Sequence, residues 1–383
     1  MARSFFISST SHEDVRVKQL HINGWWLSGR NQWIEFGLFI QMKLRVFLAT
    51  GQDGVLLKVN SPYDFHPRSR PKLLWEELNS DNSLGLLFND NLKRTEPLSL
   101  PGQSKATFVD FASEKDFILI NPTLQNVGTG DFTLRIDKNG VDIAALEALV
   151  GRLNEDESDV NECNLNLYCR IRFRAKSNNN VGMHVSRGAL KSEYVYDLRV
   201  NEVRSIPDAV DASNVVPIED VYVFLMHPPD HSLHLKAQPK LKYVRVLEDS
   251  NNGWSDYFPE LQSSPRRLLV YYWKYNREAK EAKDSVHALA AFSVERSRLL
   301  RTFALVLVIA SVSSILLQFP SVIDPEKYNG FLKAFIQFIS PVFAWAGVSG
   351  SVIAATIILN SIWAAIAGVT KLARSKWEGR HGN

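Results

Sequence analysis

The chain has 383 residues, 45% hydrophobic and 22% charged, with a formal net charge of +3. This composition excludes a mainly disordered protein, and the charge is too balanced to argue for nucleic-acid binding from bulk charge. Its two cysteines, Cys163 and Cys169, exclude a disulfide framework and a four-cysteine zinc site.

The opening MARSFFISSTSHEDV gains charge too early for a secretory signal. Residues 1–153 read as an α+β or mainly β domain, with Trp25 and Trp26 suited to a core. The apolar run 33–49, the turn 51–54 and the strand 55–59 predict a hairpin. Residues 117–120 and 132–136 read as strands, and 143–153 as a short helix. The acidic run NEDESDVNE at 154–162 reads as a linker.

Residues 163–265 predict a β-sandwich-like domain. Along 165–175, apolar residues alternate with polar ones, and Arg170, Arg172 and Arg174 share one strand face beside Tyr168. Such a row suits contact with a phosphate backbone or nucleotide, although a solvated strand face is the commoner outcome. Further strands are expected at 193–200, 221–226 and 241–247, separated by Pro/Asn/Asp-rich turns. His227, Asp230, His231 and His234 cluster in HPPDHSLH, a composition found in metal sites. Pro228 and Pro229 prevent the helix that would align them, so a turn explains the same residues and no metal or cofactor is expected. Nucleotide-binding, zinc-protease and nucleophile-elbow motifs are absent from the sequence, and an enzyme is not expected.

Residues 266–301 contain neither Pro nor Gly. They predict a last strand at 268–275 and then a helical stalk from about residue 276. Residues 302–319 (TFALVLVIASVSSILLQF) carry no charge and span about 27 Å as a helix, close to a hydrocarbon core. Residues 342–369 are also charge-free, and 331–340 read as an interfacial or re-entrant helix before Pro341. Together, 302–369 predict a transmembrane two-helix hairpin inserted in the lipid bilayer. Arg296, Arg298 and Arg301 precede it, and the basic tail 370–383 follows. By the positive-inside rule both termini are cytoplasmic. In the second span, Ala346, Gly350 and Ala354, and likewise Gly347, Ser351 and Ala355, recur every four residues. That spacing favours close helix packing and a homo-oligomer. Asn360 lies deep in the same span, where an amide needs a partner.

A β-rich cytosolic region without catalytic motifs, a stalk and a C-terminal two-span hairpin resemble, in layout, the two-transmembrane effectors of bacterial anti-phage retron systems. The resemblance implies an inner-membrane toxin whose cytosolic part senses infection or is restrained. The implied partner is a reverse transcriptase with its RNA–DNA hybrid, or another defence-system component. The shared layout brings no motif, so no residue role is carried over. Two other functions fit the same parts: a membrane-tethered scaffold or receptor that recruits a partner, and a tethered metalloenzyme using His227, His231 and His234.

Overall fold

A computed structural model describes residues 4–295 except 10–13, 29–30, 50–53, 114, 155–158, 177–182, 188–190, 203–211, 236–240, 248–252, 264–266 and 277–285, together with Thr302, Leu305 and Val306. Residues 1–300 form one compact unit and 301–383 a second. The described residues are mostly strand. In chain order the strands are β1 (Phe6–Ser9), β2 (Val15–Ser28), β3 (Asn31–Lys43), β4 (Val55–Asn60), β5 (Lys72–Leu73), β6 (Leu92–Pro97), β7 (Ala106–Phe111), β8 (Asp116–Ile120) and β9 (Thr123–Gln125). They continue as β10 (Asp131–Ile136), β11 (Asn164–Arg174), β12 (Met183–Arg187), β13 (Lys191–Val200), β14 (Ile218–His227), β15 (Ser232–Leu235), β16 (Tyr243–Val246), β17 (Leu269–Asn276) and β18 (Val286–Glu295). Between the described strands lie the α-helices α1 (Leu44–Ala49), α2 (Trp75–Leu78), α3 (Asp81–Phe88), α4 (Ile143–Leu153) and α5 (Trp254–Tyr257).

The central sheet runs β16-β17-β14-β2-β3-β11-β8-β7-β6, with the short β5 also on β11. Two four-stranded sheets, β1-β4-β10-β9 and β12-β13-β18-β15, pack on one of its faces. That face contributes Ile22, Phe36, Leu38, Phe173, Val223 and Trp273 to the main core, facing Leu57, Phe132, Leu198 and Phe292. The opposite face is covered in part by α2, α3 and α5, with Tyr257 of α5 packed among Trp25, Phe117 and Tyr168 of the sheet. Trp25 and Trp26 are both buried, as their apolar setting predicts. The α4 helix starts at Asp142, whose carboxylate accepts the Ala145 amide at 3.1 Å.

Several expectations are corrected. The apolar run 33–49 is not one strand, and it does not form a hairpin with 55–59. Its first part is β3, paired with β2 and β11, and its end turns into α1. β4 instead pairs with β1 and β10. Residues 1–153 and 163–265 are not separate domains, because β11 lies between β3 and β8, and β14 lies beside β2 in parallel. Stacking two sheets on a third lets each bury a face, so sequence-distant strands are drawn together.

The helical stalk is corrected as well. Residues 286–295 form β18, which is in register with β13 along ten residue pairs. The alanine-rich segment has good helix propensity, but tertiary pairing and burial of Phe292 outweigh a few tenths of a kcal/mol per residue. The membrane hairpin expected over 302–369 is withdrawn. No helix among the described residues is long and apolar enough to cross a membrane. Apart from Thr302, Leu305 and Val306, which are helical, the segment lies outside the described residues. A charge-free apolar run is also what a buried element requires, so hydropathy alone does not decide between the two. The inner-membrane, multi-pass placement rested on that hairpin and is withdrawn with it.

Candidate functional site

The arginine row of β11 meets a carboxylate from the neighbouring strand. Antiparallel pairing sets Arg172 opposite Glu35 and Arg170 opposite Gly37. Glu35 is 0% exposed, Arg170 2% and Arg172 6%, so the row is buried rather than solvated. Arg170 donates from Nε and Nη2 to Glu35 Oε2 at 2.9 and 2.7 Å, and Arg172 Nε donates to Oε1 at 2.7 Å. The Tyr257 hydroxyl adds a bond to Oε2 at 2.9 Å, while Arg172 Nη2 reaches the Tyr257 carbonyl at 3.1 Å. The Arg172 guanidinium also lies 4.1 Å from the Phe258 ring centre. Burial pushes the Glu35 carboxyl upward, but Arg172 and Arg170 outweigh it and hold it below its ordinary range.

Gly37 makes room for this network. A Cβ there would sit 2.5 Å from the Tyr168 hydroxyl and 3.3 Å from Arg170 Nη1. Arg170 and Arg172 are therefore committed to Glu35, with no guanidinium face offered to a phosphate. Arg174 is half-buried opposite Trp33. Glu35 escaped the sequence reading, although it is the one acid in the apolar run 33–49. A lone acid there needs a cross-strand cation, and the arginine row provides two.

The histidine cluster divides. His227 ends β14, and the Pro228 carbonyl accepts the His231 amide at 3.0 Å, closing a turn that sets the two Nδ1 atoms 3.0 Å apart. His227 stacks between Phe292, 3.7 Å away, and Trp26, 5.8 Å away, at the seam of the central and third sheets. His234 lies on β15 and bonds the Ser293 hydroxyl at 2.7 Å instead. Among the described residues no three His, Cys, Asp or Glu side chains are grouped to hold a metal. Among the described residues His227 Nε2 is buried without a hydrogen-bond partner, which favours the tautomer with the proton on Nδ1, donated to His231.

Burial, and secondarily His231, holds His227 well below its usual value of 6.5. Below pH 6.5 the unfolded chain therefore binds more protons than the folded one, and stability falls as pH drops. The expected loss approaches about 1.4 kcal/mol per pH unit for this group. His21, lowered to about 3 by burial and Arg170, adds a loss of the same sign. Urea unfolding at pH 7.5, 6.5 and 5.5 should show a shallower decline in His227→Phe than in the parent; equal slopes would rule the pair out as its source.

Among the described residues, the end of the central sheet beyond β14 has no further strand outside β16. Aromatic rings cross its outer face strand by strand: Phe39 to His21 at 5.5 Å, His21 to Tyr222 at 4.9 Å, Phe224 to Tyr272 at 4.8 Å and Tyr272 to Tyr243 at 4.6 Å. Lys274 lies 5.1 Å from the Tyr222 ring centre and 3.5 Å from Asp220. The band ends on β16, where Tyr243 is 45%, Val244 45% and Val246 51% exposed. β17 is the only strand paired with β16 among the described residues. The opposite end of the sheet, β6, reads LKRTEP; its Lys93, Arg94, Glu96 and Pro97 are a typical guard against further pairing. Within the core, a cavity of about 10 Å³ lined by Tyr63, Tyr196, Trp273 and Tyr275 has room for about one water.

Ala346, Gly347, Gly350, Ser351, Ala354, Ala355 and Asn360, expected to pack a membrane span, lie outside the described residues. Cys163 and Cys169 are both buried, and burial pushes the Cys169 thiol up to about 12, leaving it protonated and inert at neutral pH.

No family model and no curated protein matches the chain. Among solved structures, the chain is similar to the Fcho1 Mu homology domain of Danio rerio with bound Eps15 peptide. The identity is 10%, covering 77% of this chain and 81% of that one, with a TM-score of 0.16, too low to bear on fold or function.

Proposed function

We propose that the β-rich unit is a protein-recognition module, a scaffold or receptor rather than an enzyme, and that it receives its partner at the open end of the central sheet. The observation that carries this reading is the exposed apolar β16 edge continuous with the aromatic band, contrasted with the charge- and proline-guarded β6 edge. Support also comes from the chemistry-bearing side chains. Glu35, Arg170 and Arg172 saturate one another, and His227 faces rings and His231.

A photo-crosslinking residue placed at Tyr243 in the native host should join the chain to one discrete partner, which should be lost when Val244 and Val246 are both changed to Lys. The same crosslinker at Arg94 on β6 should not capture that partner. Equal capture at both positions would contradict the reading.

A further inference from the structure

Resting on that reading, we propose that the partner contributes an extended, alternating apolar and acidic segment that adds to β16 as a new strand of the central sheet. The backbone register comes first. Leu247 lies just beyond β16 and donates its amide to the Leu268 carbonyl at 2.8 Å. Antiparallel alternation then turns the amides of Tyr243 and Arg245 toward β17 and those of Val244 and Val246 outward. Outward backbone groups on an exposed edge are what strand addition uses for affinity.

Side chains give the pattern. Val244 and Val246 lie on one face of the edge and Tyr243 and Arg245 on the other, with about half of Tyr243, Val244 and Val246 open to solvent. An added strand would cover apolar surface beside the valines with its own apolar residues. On the other face it would meet Tyr243 and Arg245. Arg245 is the charge nearest the edge there, because Lys274 lies 3.5 Å from Asp220 of β14. Strands β16 and β17 carry Arg245 and Lys274 and no carboxylate, and Lys242 and Arg267 beside them are exposed. Arg245 Nε lacks a hydrogen-bond partner among the described residues, and its Nη1 makes only a long contact of 3.4 Å to Asn89. Acidic side chains complement that face. A second copy does not: two β16 edges paired antiparallel with Val244 opposite Val246 would set Arg245 directly opposite Arg245.

Fluorescence anisotropy of the full chain with a labelled hexapeptide of alternating Val and Glu tests this. We expect saturable binding, weakened at least tenfold when Lys replaces Glu, and at least tenfold when alternate peptide amides are N-methylated. Val244→Pro, which removes an outward donor and leaves the bonds to β17, should weaken binding at least tenfold. Should that variant not fold, Arg245→Glu serves instead and should reverse the preference toward the Lys peptide. Undiminished binding of the N-methylated peptide, an unchanged preference in Arg245→Glu, or no saturable binding at millimolar peptide would overturn strand addition. The recognition reading would then still stand or fall on crosslinking at Tyr243, which requires no strand pairing.

Discussion

Glu35→Ala should cost about 3–5 kcal/mol of folding stability, because it leaves two buried guanidinium groups without their counter-charge. Arg170, Arg172 and Tyr257 all converge on that one carboxylate. The network also ties α5 to β3 and β11 through Tyr257, so its loss should free that helix as well as destabilise the sheet. Urea unfolding followed by circular dichroism measures the change. Replacing the three charges together, with Glu35→Leu, Arg170→Met and Arg172→Met, should recover most of the loss, since a packed apolar trio needs no counter-ion. A Glu35→Ala variant as stable as the parent would mean that the ion network is not formed.

Phe292→Ala is expected to lose about 3–5 kcal/mol, the range for emptying a buried aromatic site. Phe292 is 0% exposed and packs against His227, Tyr196 and Tyr271, fastening β18 and the third sheet to the central one. The same substitution on an exposed helical stalk would change stability by no more than about 0.5 kcal/mol. Thermal and urea unfolding of this single variant therefore distinguish strand from stalk over residues 286–295.

Where local pattern and tertiary pairing agree, the amino-acid order is a good guide. Period-two alternation marks β11, and burial at Leu146, Leu149 and Val150 follows the helical spacing that marks α4. Where pairing joins distant segments it is not. Nothing local in Val15–Ser28 announces a parallel neighbour at Ile218–His227, about 200 residues later. Residues 286–295 look helical because alanine tolerates both states, and only the ten-residue match to β13 decides. The arginine row was visible as a row, but its burial was not, because the answering carboxylate stands 135 positions away in Arg170–Glu35. The histidines were visible as a cluster; the turn at Pro228 selects two of them and sends His234 to a different strand. The β16 edge was legible only as a strand, since which strand ends a sheet is a property of the whole topology.

Amide hydrogen exchange of the full chain, with and without the alternating Val–Glu hexapeptide, tests the open-edge account most directly. The account predicts that the Val244 and Val246 amides slow at least tenfold on adding peptide, while the amides of β6 do not change. Exchange at Val244 and Val246 that is indifferent to peptide, or equal protection at both ends of the sheet, would contradict it.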